Sequence, residues 1–370
     1  MPTSTAMNTS MTSPLPPIPE SGAMQPDYSR QTLLKEIGAQ GQAALARSRV
    51  LVVGAGGLGS PVLQYLAGAG VGCLGIVDAD TLDASNLHRQ PIFALAEAGE
   101  QKVELARAAV QRINPTVQVE LHAMRLDAGN ALALIRGYDV VVDCTDNFRT
   151  KYLINDAAVL ARRPAVFASV YQYEGQLQVY APDERHACLR CHWPDAVADG
   201  VVGNCAEAGV LGPVAGTLGT LQALLTLKIL LNLPGQLDGE LLLLDFTNFS
   251  SLKIKAPRRP ECTAPDCAHI REIAPEDLEI EIALPSLADA AQRGLEVIDI
   301  RTQEEFAARP TAARHIAMPT LLADPGLLPP GREFLLVCAS GKRSLAAARA
   351  LRKHGIAVRS LAGGLQALEV

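Results

Sequence analysis

The sequence lacks features that would point to nucleic acid, membrane or export. Its 33 Lys and Arg are outnumbered by 39 Asp and Glu, and the formal net charge of −6 supplies no basic field for a nucleic-acid backbone. The longest strongly apolar stretches, at 221–231 and 241–246, are shorter than the roughly 20 residues that cross a bilayer, and the first contains Lys228. We therefore expect neither a nucleic-acid partner nor a membrane span.

A secretion signal is also missing. Residues 1–26 carry one charged residue, Glu20, and six prolines, with neither the basic start nor the continuous apolar core of a signal peptide. This composition predicts a disordered leader and a cytoplasmic protein. There the eight cysteines are expected to stay reduced, which makes them candidates for metal binding or catalysis rather than for disulfides.

What the chain does contain is an alternation of strand-like and helix-like stretches. Apolar residues make up 48% of it and charged residues 19%, which is typical of globular domains. The alternation predicts an α/β fold with a doubly wound, mostly parallel sheet. The predicted strands are 50–53, 74–77, 117–121, 139–142, 165–168, 177–180 and, as the last, 240–246, and the predicted helices are 101–113, 128–136, 150–161 and 213–231.

A Pro/Arg cluster at 256–260 marks a domain boundary. Beyond it, strand-like stretches at 295–300, 334–338 and 358–361 and a helical stretch at 343–354 predict a second, smaller α/β domain. The predicted organisation is a disordered leader at 1–26, a first domain at 27–271 and a second at 272–370.

A glycine-rich turn follows the first predicted strand. Gly54, Gly56, Gly57 and Gly59 lie where the strand passes into a helix, so backbone N–H groups can approach phosphates at a positive helix N-terminus. Asp78 follows the next strand, where a carboxylate can accept ribose hydroxyls. This pattern predicts a nucleotide site. A nicotinamide dehydrogenase has the same pattern, and such glycines can also serve strand–helix packing alone.

Polar residues further along favour a triphosphate over a dinucleotide. Asn86, Arg89 and Lys102 supply an amide and two cations, and Asp146 and Asn147 add a carboxylate and an amide after a strand. Cleavage of a triphosphate needs such a set, because its negative charge must be neutralised and a Mg²⁺ ion held. Hydride transfer has no such requirement.

These residues resemble those of the adenylating enzymes for ubiquitin-like sulfur carriers, of the molybdopterin-synthase and thiamine-pathway type (MoeB/ThiF type). The resemblance covers residues from about 27 to 267. It rests on Tyr-Ser-Arg-Gln at 28–31, the glycine turn at 54–59, Asp-Ala-Asp at 78–80, Asn-Leu-His-Arg-Gln at 86–90, Lys102, Thr-Asp-Asn at 145–147, Glu-Gly-Gln at 174–176 and Gly-Val-Leu-Gly-Pro at 209–213.

The resemblance implies a homodimer, because it matches Arg30 to a residue that reaches the ATP site of the other subunit. It also implies ATP as cofactor, with Asp78 on the ribose, Asn86, Arg89 and Lys102 on the triphosphate, and Asp146 positioning Mg²⁺.

Two pairs of cysteines have the character of a zinc site. Cys188 and Cys191 have the spacing of a zinc knuckle, and Cys262 and Cys267 could complete a tetrahedral, structural Cys₄ site. In the family the second pair is usually Cys-x-x-Cys, whereas two further residues separate it here. His192 or His269 could replace one sulfur, and metal-free thiols are the alternative.

The remaining cysteines of the first domain differ in their surroundings. Cys205 matches the cysteine that, in relatives with a sulfurtransferase domain, bonds transiently to the activated carrier, and its Gly-flanked loop allows the mobility this requires. An incidental thiol is the alternative. Cys73 and Cys144 lie among apolar residues and are expected to be inert core thiols.

A cysteine at the end of a strand dominates the second domain. Cys338 precedes a short loop with Lys342 and Arg343 that leads into a helix, so backbone N–H groups and the two cations would favour its thiolate. The segment 338–344 resembles a rhodanese active-site loop, with supporting matches at 297–301, 304–306 and 361–365. Ala308-Arg309 and Leu368 depart from the usual Gly-His and Trp.

The length of this loop favours sulfur chemistry. Four residues separate Cys338 from Arg343, whereas phosphatases of similar shape use five, and a shorter ring suits a persulfide better than a phosphate. The alternative is a degenerate rhodanese module that serves only for docking.

Together the two domains predict an adenylyltransferase with sulfurtransferase activity. The first would adenylate the C-terminal glycine of a small ubiquitin-like sulfur carrier ending in Gly-Gly. The second would supply sulfur from a persulfide, loaded by a cysteine desulfurase or thiosulfate, to give a thiocarboxylate. A nicotinamide dehydrogenase and a non-catalytic scaffold are the alternatives. The carrier's pathway, whether molybdopterin, thiamine, cysteine or transfer-RNA thiolation, stays open.

Overall fold

The computed structural model describes residues 25–193, 209–237, 239–255, 258–259, 262, 267, 270, 273, 280–282 and 284–368. The predicted leader up to residue 24, together with Cys205 and His269, lies outside the described residues.

The first domain contains an eight-stranded sheet in the order β3-β2-β1-β4-β5-β6-β7-β8. The strands from β3 to β5 are parallel, and β6, β7 and β8 extend the sheet antiparallel. The prediction of a doubly wound, mostly parallel sheet is therefore confirmed. The strands are β1 Arg49–Val53, β2 Cys73–Val77, β3 Gln118–His122, β4 Val140–Asp143, β5 Ala165–Tyr171, β6 Glu174–Tyr180, β7 Glu240–Asp245 and β8 Ser250–Lys255.

Helices cover both faces of this sheet, and the alternation of side chains along β1 shows why. Val50 and Val52 belong to one apolar core, whereas Leu51 and Val53 belong to a second core on the opposite face. The described helices of this domain are α1 Ser29–Thr32, α2 Gly38–Arg47, α3 Gly59–Gly68, α4 Lys102–Ile113, α5 Ala131–Arg136, α6 Phe148–Ala161, α7 Leu189–His192 and α8 Gly212–Leu230.

Helix α8 is the one described helix that is long and apolar enough to cross a membrane, by length and composition only. It packs against α3 and against β4, β5 and β6. Leu218 and Ala223 on it are buried in the first of the two cores. This is the arrangement of a core helix in an α/β domain.

The prediction that 240–246 is the last strand of the domain is wrong, because β8 follows it. Strand β8 pairs with β7 at the edge of the sheet and all six of its residues are exposed. Its Lys253 and Lys255 are typical of an edge strand that must not pair with another chain. Leu252 and Ile254 alternate with the two lysines, but this pattern is only four residues long and both apolar side chains are exposed, so it is a weak signal of a strand.

The second domain has a five-stranded parallel sheet in the order β11-β10-β12-β13-β9. Its strands are β9 Glu281–Ile282, β10 Leu295–Asp299, β11 Arg314–His315, β12 Glu333–Val337 and β13 Val358–Leu361, and its helices are α9 Leu287–Gln292, α10 Gln303–Ala308, α11 Met318–Ala323 and α12 Lys342–Lys353. The short elements β9, β11, α9, α10 and α11 were not predicted, since each spans two to six residues and shows little periodicity.

An ion pair crosses between the two domains. Arg149, in the first turn of α6, donates to a carboxylate oxygen of Glu281 on β9 at 2.5 Å. Ile273 packs against the first domain's core and Ile280 is buried in that of the second. The domain limits at 26/27 and 271/272 themselves stay predictions.

Candidate active sites

The glycine turn lies at the carboxyl end of β1, where strand order reverses between β1 and β4. Ligands of open α/β sheets bind at such a point. Gly54 has a φ of +97°, and a Cβ there would lie 2.8 Å from the carbonyl oxygen of Cys144. A Cβ on Gly59 would lie 2.1 Å from the carbonyl oxygen of Gly54. Both positions therefore require glycine, and a turn of this kind lets a phosphate approach its backbone N–H groups.

Asp78 anchors this turn to β2. One of its carboxylate oxygens accepts the N–H of Ala55 at 2.8 Å, and the other accepts the N–H of Asp80 at 2.9 Å. Burial raises the pKa of the Asp78 carboxyl. Asp78 thus has a structural role beside the ribose contact that the resemblance implies.

The cations lie on segments adjacent to the turn. The Lys102 side chain is buried and its Nζ contacts Asp80 Oδ2 at 3.1 Å. Arg89 packs its stem near Gly57, and its guanidinium donates to the carbonyl of Ser85 at 3.2 Å. Asn86 precedes it on the same segment, with its side-chain amide 3.5 Å from Ser85 Oγ. The structure therefore brings Asn86, Arg89 and Lys102 to the same edge of the sheet.

Gln90 is a residue for which sequence analysis gave no role. It is 2% exposed, and its Oε1 has no hydrogen-bond partner within the described part of the chain. Its Nε2 would lie 3.6 Å from a Cβ at Gly56. A buried amide next to the turn is a candidate ligand group, and the motif Asn-Leu-His-Arg-Gln already contained it.

Asp146 and Asn147 follow β4, beside β1. Asp146 is exposed, and the side-chain oxygen of Asn147 accepts the N–H of Thr150 at 2.8 Å, which caps helix α6. The exposed carboxylate at this strand end is free of helix capping, so its position suits a Mg²⁺ ligand. Asn147 has a structural role that the sequence analysis did not predict.

A buried ion pair at the end of β4 stabilises this loop. Asp143 is fully buried, accepts the hydroxyl of Thr145 at 2.6 Å and pairs with the ammonium group of Lys151. Lys151 also donates to the carbonyl of Ala168 at 2.7 Å. The pair was not predicted from the sequence. The only signal was an aspartate at the end of an otherwise apolar strand.

Arg30 is exposed on the short helix α1. The homodimer in which Arg30 reaches the site of a second subunit stays a prediction. The seven described cysteines are free thiols. Cys73 and Cys144 are buried and burial raises the pKa of both thiols, as expected of core residues.

The four cysteines of the predicted zinc site come together. The Sγ of Cys188 lies 3.8 Å from that of Cys191 and 3.8 Å from that of Cys267, which lies 3.3 Å from that of Cys262. A hydrogen bond from Cys188 lowers the pKa of Cys191 to about 5.

These distances are close to the roughly 3.8 Å between sulfurs that surround zinc tetrahedrally at about 2.3 Å. No group of three or more ligating side chains among the described residues is arranged as a metal centre, however, so the zinc prediction is not supported by the structure alone. The shortest separation, between Cys262 and Cys267, departs most from the tetrahedral value.

In the second domain, Cys338 follows β12 and is completely buried. Its Sγ accepts the N–H of Ser344, in the first turn of α12, at 3.4 Å and lies 3.5 Å from the Ser344 hydroxyl. The carbonyl of Cys338 accepts the N–H of Leu365 at 2.9 Å. The loop and the segment at 363–365 therefore form one cradle, and Ser344 is a member of it that sequence analysis did not name.

The charge on this loop differs from the expectation. Arg343 was predicted to add positive charge near Cys338, and it does interact with Cys338, but its guanidinium also makes a bidentate ion pair with Glu305 at 2.6 and 2.7 Å. That pairing lowers the pKa of Glu305 to about 2, so its carboxylate is ionised. A cavity of about 290 Å³ beside the loop is lined by Arg301, Glu305, Ala308, Arg309, Ala339 and Gln366, among others.

Backbone N–H groups, the buried Lys102 and the half-buried Arg89 at one sheet edge suit nucleotide activation, and a cradled thiol in the second domain suits sulfur transfer. Comparison with known protein families shows which two-domain α/β enzymes this chain resembles. The ThiF family model matches residues 28–264 and the rhodanese-like domain model matches 284–369. The chain belongs to the ThiF family and carries a rhodanese-like domain at its C-terminal end.

Proteins of related sequence agree with these family matches. The chain is 37% identical to the probable adenylyltransferase/sulfurtransferase MoeZ of Mycobacterium tuberculosis, over 96% of this chain and 97% of that one. It is 46% identical to the sulfur carrier protein adenylyltransferase of Thermus thermophilus, over 64% of this chain and 88% of that one. The chain is accordingly an adenylyltransferase with sulfurtransferase activity, and these relatives lend no support to a dehydrogenase or a scaffold.

A solved structure shows the fold. The E. coli MccB structure with MccA-N7isoASN superposes with a TM-score of 0.57 at 22% identity, covering 64% of this chain and 73% of that one.

Proposed function

We propose that the first domain adenylates the C-terminal glycine of a small ubiquitin-like sulfur carrier ending in Gly-Gly. A carboxylate oxygen of that glycine attacks the α-phosphorus of ATP, and pyrophosphate leaves with the electron pair of the broken P–O bond. The glycine turn binds phosphate oxygens, while Asn86, Arg89 and Lys102 neutralise the triphosphate and Asp78 orients the ribose. Mg²⁺, held by Asp146, would neutralise charge on the departing pyrophosphate.

The second domain then supplies sulfur. The terminal sulfur of a Cys338 persulfide attacks the acyl carbon and expels AMP, which leaves the carrier joined to Cys338 through an acyl disulfide. The Cys205 thiolate attacks the Cys338 sulfur, releases the carrier thiocarboxylate and forms a Cys205–Cys338 disulfide, which a thiol reductant then reduces. The observation that carries this proposal is the cradle of Cys338, whose sulfur accepts a backbone N–H at the start of α12.

We further propose a cytoplasmic homodimer in which Arg30 reaches the partner's ATP site, with a structural zinc ion on Cys188, Cys191, Cys262 and Cys267. A tetrathiolate site has no open position for a substrate, so its role is to hold the two chain segments together. The sulfur donor is a cysteine desulfurase persulfide or thiosulfate.

Two variants separate the half-reactions. Asp146→Ala should abolish carrier-dependent ATP–pyrophosphate exchange, because Mg²⁺ loses its ligand. Cys338→Ala should leave exchange intact and reduce thiocarboxylate formation to background, since a methyl group carries no persulfide. Exchange is measured with labelled pyrophosphate, and the thiocarboxylate by the mass change at the carrier's C-terminus.

Glu184→Gln, at an exposed acid outside the nucleotide-binding loops, is the matched control for Asp146→Ala. Near-normal exchange in folded Asp146→Ala protein would contradict the adenylation site. Wild-type thiocarboxylate formation by Cys338→Ala would contradict the role of the second domain.

A further inference from the structure

The cavity beside Cys338 has an acidic residue in its wall. Glu305 lines it together with Arg301, Arg309 and Ala339. Ala339 directly follows Cys338 in the loop, so the cavity lies beside the segment that holds the buried thiol. The charged groups of its wall therefore act close to Cys338.

Glu305 is held in place at several atoms. Its side chain accepts the N–H of Thr302 at 2.8 Å, and its own N–H donates to the Thr302 hydroxyl at 3.2 Å, which makes a capping box at the start of α10. Both carboxylate oxygens accept hydrogen bonds from Arg343. The carboxylate is thus fixed between two helix starts.

The ion pair with Glu305 occupies the guanidinium of Arg343, which would otherwise be able to bind a small anion. Bidentate contacts to Arg are the strong way to hold a carboxylate or an oxyanion, and Glu305 already makes them with Arg343. Arg301, a cation of the cavity wall, donates to both oxygens of buried Asp299 at 2.7 to 3.1 Å. Arg343 and Arg301 are therefore each matched by a carboxylate, and Arg309 is a further cation of the wall.

We propose that Glu305 is a positioning residue that selects the sulfur donor. By holding Arg343, it weakens binding of thiosulfate, a small dianion, and leaves the site to a persulfide carried on a cysteine of a donor protein. This inference rests on the proposed role of Cys338 and names a determinant of its specificity.

Sulfur transfer to Cys338 takes the same chemical step with either donor. The Cys338 thiolate attacks the outer sulfur of the donor, the donor S–S bond breaks and the leaving group departs with its electron pair. That leaving group is sulfite from thiosulfate and a cysteine thiolate from a protein persulfide. In both cases Cys338 becomes the persulfide, and only thiosulfate brings two negative charges of its own to the site.

The test is steady-state transfer of sulfur from thiosulfate to cyanide by the full chain. Glu305→Gln retains a group that can cap α10 but releases Arg343, so the thiosulfate KM should fall about tenfold, the effect of one charge-assisted hydrogen bond gained. The value of kcat should change by less than KM, because the backbone N–H of Ser344 still donates to Cys338 Sγ. Loading of Cys338 by a cysteine desulfurase persulfide should stay within about twofold.

Glu304→Gln is the matched control, since Glu304 is the exposed neighbour in the same helix and its replacement changes net charge equally. In a Glu305→Gln background, Arg343→Gln should return the thiosulfate KM to about the wild-type value. This result would show that the effect acts through Arg343 and not through a general loss of negative charge.

Equal thiosulfate KM values in Glu305→Gln and Glu304→Gln would overturn this inference while Cys338-dependent transfer continued. Transfer from either donor that survives Cys338→Ala would overturn the proposed function instead. Should Glu305→Gln fold poorly, Arg343→Gln in the wild-type background decides: a large rise in thiosulfate KM would show that Arg343 already binds the anion, contrary to the inference.

Discussion

The buried side chain of Asp143 holds the loop that follows β4 in place. It ends β4, pairs with Lys151 and accepts the Thr145 hydroxyl, so it fixes the start of the segment that carries Asp146. A buried carboxylate is tolerated only when its charge is paired and its oxygens are hydrogen-bonded. This pair therefore connects the stability of the first domain to the geometry of its nucleotide site.

Lys151→Met should destabilise the first domain by about 3 to 5 kcal/mol, because it leaves the Asp143 carboxylate buried without its cation. Urea unfolding followed by circular dichroism measures the change. Lys35→Met, at an exposed lysine, should change the free energy of unfolding by less than about 0.5 kcal/mol. A loss below about 1 kcal/mol in Lys151→Met would show that water or another group replaces the ammonium group.

At the scale of elements, the cysteine cluster links α7 with the chain around residues 262 and 267. Protein purified without added metal should contain one zinc ion per chain, and a strong chelator should lower its Tm, since a structural zinc contributes its binding energy to folding. Elemental analysis and thermal unfolding test this. Cys188→Ser should lose the metal, whereas Cys73→Ser, at a buried thiol of the sheet, should keep it. Metal-free protein with an unchanged Tm would mean that the longer second spacing no longer supports a site.

Two other elements, α10 and α12, are joined by Glu305 and Arg343. Pairing lowers the pKa of Glu305 from an ordinary 4.5 to about 2 in the folded chain. A lowered folded-state pKa means that this stabilisation is complete above pH 4.5 and is lost as the pH falls towards 2. The Tm of the second domain should therefore fall less steeply across this range in Glu305→Gln than in Glu304→Gln. Parallel curves for the two variants would contradict the assignment.

At the scale of the whole molecule, the question is whether one ATP site draws on two chains. Arg30→Ala and Asp146→Ala should each abolish pyrophosphate exchange, but a refolded mixture should regain about a quarter of the wild-type rate, because about half of the dimers are mixed and each has one intact site. If Arg30 acts within its own chain, the mixture stays inactive. The ratio of mixed dimers is measured with differently tagged chains.

Local patterns in the sequence determined the parts of this protein that depend on few neighbouring residues. The glycine turn at 54–59, the alternation of apolar residues in the central strands and the loop from Cys338 to Ser344 were all predicted, because strand period and backbone sterics act over a handful of positions. The tertiary structure decided what depends on distant residues.

The Glu305–Arg343 pair joins positions 38 residues apart, so the charge expected next to Cys338 was matched by a carboxylate that no local pattern could place there. The Asp143–Lys151 pair is closer along the chain, 8 residues apart, but its significance lies in its complete enclosure by the packed sheet and helices. Edge strand β8 has no buried face, and its place became visible only from its pairing with β7. Packing decides which ion pairs form and which strands lie at the edge of a sheet, because the free energy of each depends on which groups are removed from water together.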